Sequence, residues 1–442
     1  MAASRQARRV YECWPMFSLA LFVFTSLVVG NETFSRQVSM HYNPGCNITE
    51  CQSFPPSNNN DTHNNLVHVL ARGHRDSLHY VWSTIGAPTV LVVHTTSKDS
   101  ELRVDWERLL RATNRSISGA ITFEPSNAVD FSMAVIFNKI WEYEDLHDKS
   151  ELPEDEAEMF EPYDLAKMRW DDFNMTMNAT GLTGNFTGAT TQPDMESLFQ
   201  NGSISFKIHA FKTDDRSTDL PHLQYTSNQT QFDFTIDSVE PRGNMSRYAM
   251  EVMLITEDKR GTHVDLKKLQ SIDDEYTPGV FELFELTTTH GAQTDSYVQW
   301  KPVCYTKHTR SMAVATPAKT HKLKEPDTAS IPGDTIARAY FTNLDRLQRK
   351  ALNVSFGLTG DGTYVASNFT SWTASVGYGE PPAETLSLLI IVVISTGLGI
   401  PVVIIMFGGV FICCRRKDGE KGEKEMKDEY TRVNGSEADV IN

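Results

Sequence analysis

Between residues 65 and 376 the chain breaks into short stretches in which apolar, β-branched and aromatic residues alternate with polar ones. They fall at 66–71, 78–85, 89–94, 102–106, 120–123, 129–141, 204–211, 232–236, 248–255, 280–286, 297–305, 336–341, 352–358 and 364–376, with Gly, Pro, Asn and Asp between them. A two-residue period with frequent turn signals predicts strands and an all-β fold of the sandwich type. In 203–211, Ile204, Phe206, Ile208 and Ala210 share one face, while Ser205, Lys207 and His209 share the other, as a half-buried strand requires. The length argues for two packed β units, since a sandwich usually takes about 100–150 residues. An acidic, Pro-containing stretch at 142–161 reads as a surface loop, and a basic, turn-rich stretch at 306–332 reads as an insertion or linker. Short helices are expected near 105–113 and 345–351. Residues 31–64, polar and rich in Asn, Ser and Pro, read as a loosely ordered N-terminal arm.

Two apolar runs lie outside this pattern. The first, 17–29, follows Arg5, Arg8 and Arg9 and ends near Gly30. It is shorter than the roughly 20 residues of a membrane span, so residues 1–30 read as a secretory signal peptide cleaved near Gly30. The second, 386–414, is uncharged over 29 residues and has no polar face, so it reads as a transmembrane helix. Gly397, Gly399 and Pro401 interrupt it, as membrane helices tolerate. Arg415, Arg416 and Lys417 follow directly, which marks the cytosolic end. Residues 65–382 are then a lumenal β domain and 415–442 a cytosolic tail. Ser395 and Gly399 form a small-xxx-small pair that would admit a second helix, or would simply bend the span together with Pro401.

Composition agrees with that topology. Asn-x-Ser/Thr sequons occur at Asn31, Asn47, Asn60, Asn114, Asn174, Asn178, Asn185, Asn201, Asn228, Asn244, Asn353 and Asn368, all before the span. One alone means little, but twelve on the expected lumenal side predict a glycoprotein with these asparagines at the surface. Asn434, in the tail, should stay bare. Residues 31–385 carry 48 acidic and 31 basic side chains, which argues against a nucleic-acid partner. All 13 histidines lie in that region and read as scattered surface residues. Of six cysteines, Cys13 falls in the signal, and Cys413 and Cys414 at the inner edge of the span fit palmitoylation or apolar filling. Cys46 and Cys51 are near enough to close a small disulfide loop, leaving Cys304 free or available for a bridge between chains. Homodimerisation stays open.

The sequence offers no hydrolase, zinc-protease or phosphate-loop motif and no spaced Cys/His cluster, so no catalytic residue, metal or cofactor is assigned. Gly360-Asp361-Gly362 reads as a turn between strands. Asp273, Asp274 and Glu275 are the densest acidic group, but neighbours on a strand point to alternate sides, so a loop or capping role is the simpler reading. Trp170-Asp171-Asp172 is read the same way. In the tail, Tyr430 is followed three residues later by Val433, the spacing that clathrin adaptors read in extended form when they sort cargo to lysosomes.

Taken in order, several segments resemble the glycosylated lysosomal membrane protein family. They include His79-Tyr80-Val81-Trp82-Ser83, Val104-Asp105-Trp106, Pro162-Tyr163-Asp164-Leu165 and Glu240-Pro241-Arg242-Gly243-Asn244. Ser271-Ile272-Asp273-Asp274-Glu275-Tyr276, Val298-Gln299-Trp300-Lys301-Pro302-Val303, Ala337-Arg338-Ala339-Tyr340-Phe341 and Asn353-Val354-Ser355-Phe356-Gly357 belong to the same series. The resemblance runs from about residue 65 through the span to the tail tyrosine; cysteine placement, the longer charged tail and 306–332 depart from it. It implies an accessory subunit of a lysosomal major-facilitator transporter that exports dipeptides, bound through the lumenal domain and shielded by it from proteases. Two other classes fit the residues alone: a lumenal hydrolase with a divergent acidic site around Asp273–Glu275, and a cell-surface recognition receptor.

Overall fold

The computed structural model describes residues 35–52, 64–112, 116–177, 181–257, 261–271, 276–383 and 388–436. The described residues up to Pro382 form one compact unit, and the C-terminal helix belongs to a second.

The first unit is a β-sandwich in which every described pairing is antiparallel. Its first sheet runs β1 (Gln37–Tyr42), β2 (Leu66–Arg72), β3 (Ser77–Ser83), β4 (Thr89–Thr95), β7 (Val129–Glu144), β15 (Ser246–Glu257), β21 (Leu347–Phe356) and β20 (Ala315–Thr320). The short β8 (Tyr163–Asp164) adds to β7. The second sheet runs β9 (Met168–Met177), β10 (Gly181–Thr190), β11 (Ser203–Phe211), β14 (Gln229–Asp237), β22 (Phe369–Tyr378), β18 (Gln293–Trp300), β17 (Glu282–His290) and β16 (Thr262–Gln270). Along one side β19 (Val303–Tyr305) pairs with both β20 and β22 and joins the sheets. Two small hairpins, β5 (Glu101–Val104) with β6 (Ile121–Glu124) and β12 (Asp215–Arg216) with β13 (Gln224–Tyr225), lie outside the sheets.

One core joins the layers. Trp82 and Phe137 of the first sheet meet Phe206 and Phe232 of the second, with the Phe137 centroid 4.8 Å from each phenylalanine. The Trp82 indole N–H donates across the core to Thr230 Oγ1 at 3.2 Å, so a ring of this size is buried with its polar atom satisfied. The chain length therefore does not divide into two β units of sandwich size: both sheets belong to one larger sandwich around a shared core.

The sheets differ on their outer faces. The first sheet is covered by the helix Trp106–Arg111, the β5–β6 hairpin and the helix Ile336–Tyr340, which build a second apolar cluster with Leu91, Val93, Ala134 and Ile255. Buried on both faces, β3 and β4 have no exposed residue, and their sequences read as near-continuous apolar runs. The outer face of the second sheet is open over β10 and β11, which alternate between buried and accessible, whereas β22 is buried on both faces.

Several expectations change in detail. Residues 336–341 are a helix, Ile336–Tyr340, in place of a strand; a short apolar run does not distinguish the two, and its alanines favour helix. Near 345–351 the helical part is the single turn Leu344–Arg346, and β21 begins at Leu347. In 364–376 a turn at Tyr364–Ala366 precedes the strand, which starts at Phe369. The helix near 105–113 is Trp106–Arg111, capped by Asp105, whose carboxylate accepts from the Arg108 amide at 3.0 Å. The N-terminal arm is ordered where described, since β1 pairs along β2. The stretch 306–332 contributes β20 to the sandwich. The signal segment, Cys13 and Asn31 lie outside the described residues.

The second unit is one helix, Leu388–Ser436, with Pro401 inside it. Its apolar part, Leu389–Gly409, has 21 residues, about 30 Å of helix, enough to cross a bilayer core. Ser395 and Gly399 lie one turn apart within it. The helix continues past Tyr430, whose side chain is exposed, so an adaptor that reads this segment in extended form requires its last turns to open.

Candidate functional site: the open face of the second sheet

The outward residues of the second sheet form a grid of short polar side chains. In one row across the strands, Asn174 of β9 faces Asn185 of β10, which faces Lys207 of β11, then Asp233 of β14 and Thr373 of β22. A neighbouring row holds Thr187, Ser205, Thr235 and Ser371. With the loop at 218–222 and the segment His308–Arg310, residues of both rows line a groove of about 880 Å³.

Arg310 fixes the walls. Its guanidinium donates to Leu220 O at 2.7 Å, Thr373 Oγ1 at 2.9 Å and Ser371 Oγ at 2.9 Å, and pairs with Asp233 Oδ1 at 2.8 Å. His209 Nε2 lies 3.3 Å from the other Asp233 oxygen. Burial alone would raise the Asp233 pKa, but the hydrogen bond from His209 and the charge of Arg310 outweigh it and hold the carboxyl well below the usual range. Asp233 therefore stays ionised and accepts bonds; it cannot donate a proton as a general acid. Further along the face, Gln229 and Gln231 both donate to Gln224 O, at 2.9 and 3.0 Å, which ties the overlying loop down.

The remaining charged clusters are also consumed in bonding. Arg247, fully buried, pairs with Asp145 at 2.7 Å, Asp361 at 2.7 Å and Asp148. The Gly360-Asp361-Gly362 turn is thus half of a clasp, and a Cβ on Gly357 would meet the Arg247 guanidinium at 1.9 Å. Buried Glu142 accepts from the Arg242 amide (2.6 Å), Arg242 Nε (2.7 Å), Ser246 Oγ (2.6 Å) and the Tyr163 hydroxyl (2.7 Å). Among the described residues no group of three His, Cys, Asp or Glu side chains is arranged to hold a metal.

Not all the residues singled out from sequence fall in the described structure. Ile272, Asp273, Asp274 and Glu275 lie outside the described residues, as do the side chains of Asp171 and Asp172. Trp170 packs in the core under Gly188. Cys46 and Cys51 are joined by a disulfide. Cys304 is buried, with burial raising its thiol pKa, so it is not available for a bridge between chains. His68 and His79 are buried, contrary to the reading of surface histidines. Asn60, Asn114 and Asn178 lie outside the described residues. Asn47, Asn174, Asn201, Asn228, Asn244 and Asn368 are exposed, and Asn185 and Asn353 are half-buried. The side chain of Val433 lies outside the described part of the tail. Sequence reading did not single out Arg310, Asp233 or Thr373, because strands distant in the chain bring them together; the one signal was the basic character of 306–332.

The family model for glycosylated lysosomal membrane protein matches residues 65–419, which take in the sandwich from β2 onward and the apolar span. The chain belongs to the glycosylated lysosomal membrane protein family. It is 36% identical over 408 residues to glycosylated lysosomal membrane protein B of Xenopus laevis, covering 91% of this chain and 96% of that one. It is 33% identical to the Danio rerio protein, covering 92% and 98%, and 30% identical to the Homo sapiens protein, covering 80% and 84%. Members are named as glycosylated lysosomal membrane proteins, and the one membrane-length apolar helix among the described residues, with the accessible sequons of the sandwich, suits that description.

Proposed function

We propose that the chain is an accessory subunit of a lysosomal major-facilitator transporter that exports dipeptides, which it binds through its lumenal β domain and shields from lysosomal proteases. In this reading it is a single-pass type I protein. Arg415, Arg416 and Lys417 hold the cytosolic end of the span, and Tyr430 and Val433 engage a clathrin adaptor. It is not an enzyme and needs no cofactor.

One observation carries the reading. All eight sequon asparagines in the described sandwich reach solvent, and they are spread around it. Asn201, Asn244 and Asn368 lie at the end where β22 begins, Asn228 lies beside Tyr378 at the other, Asn353 is on the outer side of the first sheet, and Asn174 and Asn185 are on the open face. Meanwhile Asp233, Glu142 and Arg247 are each committed to structural bonds. Such a domain acts by covering a neighbour: glycans exclude proteases sterically, and a compact β core offers few sites for nicking. The test is affinity purification of the full chain from intact lysosomes. A polytopic transporter recovered in stoichiometric amount is the expected outcome; its absence from gently solubilised membranes defeats the proposal.

A further inference from the structure

We propose that the groove on the open face is the seat of the chain's own N-glycan, attached at Asn185, while a glycan on the directly opposed Asn174 projects into solvent. The proposal is independent of the transporter reading.

Position selects the ligand. Asn185 and Thr187, the two ends of one sequon, both point outward from β10, and Asn185 Nδ2 donates to Thr187 Oγ1 at 3.1 Å. Both line the groove. Beside Asn185 the floor runs from Thr187 over Ser205 and Thr235 to Ser371, three strand spacings or about 14 Å, which is room for the inner sugars of a glycan lying flat. The two carboxamides are not equivalent. Asn174 also lines the groove, but it sits on the edge strand β9 and is exposed, whereas Asn185 lies one strand further in and is half-buried.

The chemistry of the groove also suits an uncharged polyol. Ser203, Ser205, Thr235 and Ser371 supply hydroxyls that both donate and accept. At the far end His308 packs on Phe369 with ring centroids 4.3 Å apart and planes tilted by 49°, and its exposed imidazole offers one ring face against which a sugar can rest. Asp233 and Arg310 neutralise one another, and the other charged lining residues, Lys207, Asp219 and Asp237, are of both signs, so the groove carries no single-sign field. A tethered ligand also has an effective concentration in the millimolar range, so contacts too weak to hold a free sugar suffice here. The seated glycan would cover this face and leave it unavailable to substrate or protein partner.

The experiment uses full-length chain from mammalian cells and site-resolved glycopeptide mass spectrometry, with peptide-N-glycosidase applied before and after denaturation. The glycan at Asn185 should stay in an early, mannose-rich form. It should also be released from the native protein roughly tenfold more slowly than that at Asn174, equivalent to about 1.4 kcal/mol of seating. The difference should vanish after denaturation. Ser205→Trp, which fills the groove, should bring Asn185 to the processing and release rate of Asn174. The comparison within the unaltered protein stands alone if that variant fails to fold. An unglycosylated Asn185, or equal processing and equal native release at the two sites, overturns the proposal.

Discussion

The two outer faces of the sandwich carry the same kind of strand and meet opposite fates. That of the first sheet lies under a lid of two short helices and a hairpin, and presents Leu91, Val93, Ala134 and Ile255 to it. That of the second is open, and presents Thr187, Ser205, Thr235 and Ser371 to a groove. The covered face is a second core, where shape sets stability. Outside the Arg310–Asp233 pair, the polar residues of the open face are free to serve as a surface. Mutations in the two faces should therefore differ in kind.

The largest contrast comes from truncation. Trp106→Ala removes a buried ring from the lid and should cost about 3–5 kcal/mol, as large-to-small changes of aromatic residues do. Thr235→Ala, on the open face, should stay within about 0.5 kcal/mol. Urea unfolding of the lumenal domain measures both, and comparable losses would remove the distinction.

Acid should separate the faces next. His68 and His79 face the lid, stacked on one another, with His68 Nε2 3.0 Å from His79 Nδ1 and His79 against Phe123. Burial pushes His79 down to about 3 and His68 well below its ordinary value. Below about pH 6.5 the unfolded chain therefore binds protons that the folded chain refuses, and each imidazole costs about 1.4 kcal/mol of stability per pH unit. Between pH 6.5 and 5 that is about 2 kcal/mol for His79, and His68 adds a loss of the same sign. Asp233 behaves oppositely: its folded pKa lies below the unfolded one, so its contribution is intact above about pH 4 and is lost only as pH falls through the lower folded value. Unfolding midpoints at pH 7 and pH 5 should show the loss in the native chain and little of it in the variant carrying His68→Gln and His79→Gln. Identical pH slopes would contradict the burial argument.

A smaller effect tests how the open sheet is built. A Cβ on Gly188 would meet Arg169 O at 2.6 Å and the Trp170 ring at 2.9 Å. Gly188→Ala should cost about 1–3 kcal/mol, the usual range for overpacking, although nothing on the outer face changes. A neutral result would mean that β9 and β10 give way readily.

The same comparison explains what could be read from sequence. Strands buried on both faces announced themselves as apolar runs at 78–85, 89–94 and 129–141. β11 and β14 were legible through alternation. β10 was not, because its inward positions include Gly184 and Gly188, which carry no apolar signal; at Gly188 the Trp170 ring takes the space a Cβ would fill. β16, at the edge of the second sheet, hid behind Lys267 and Lys268. The groove was invisible for a different reason: its floor comes from five strands, and its main tether, Arg310, comes from a segment read as a linker. The asparagines were plain as sequons, but their register across β9 and β10 needs the fold.

The central claim is that this domain protects a transporter. The most direct measurement is a pulse–chase of the co-purifying transporter in lysosomes with and without this chain, with and without protease inhibitors. Faster transporter decay without the chain, reversed by the inhibitors, is the predicted result. A transporter equally long-lived in both would contradict the account.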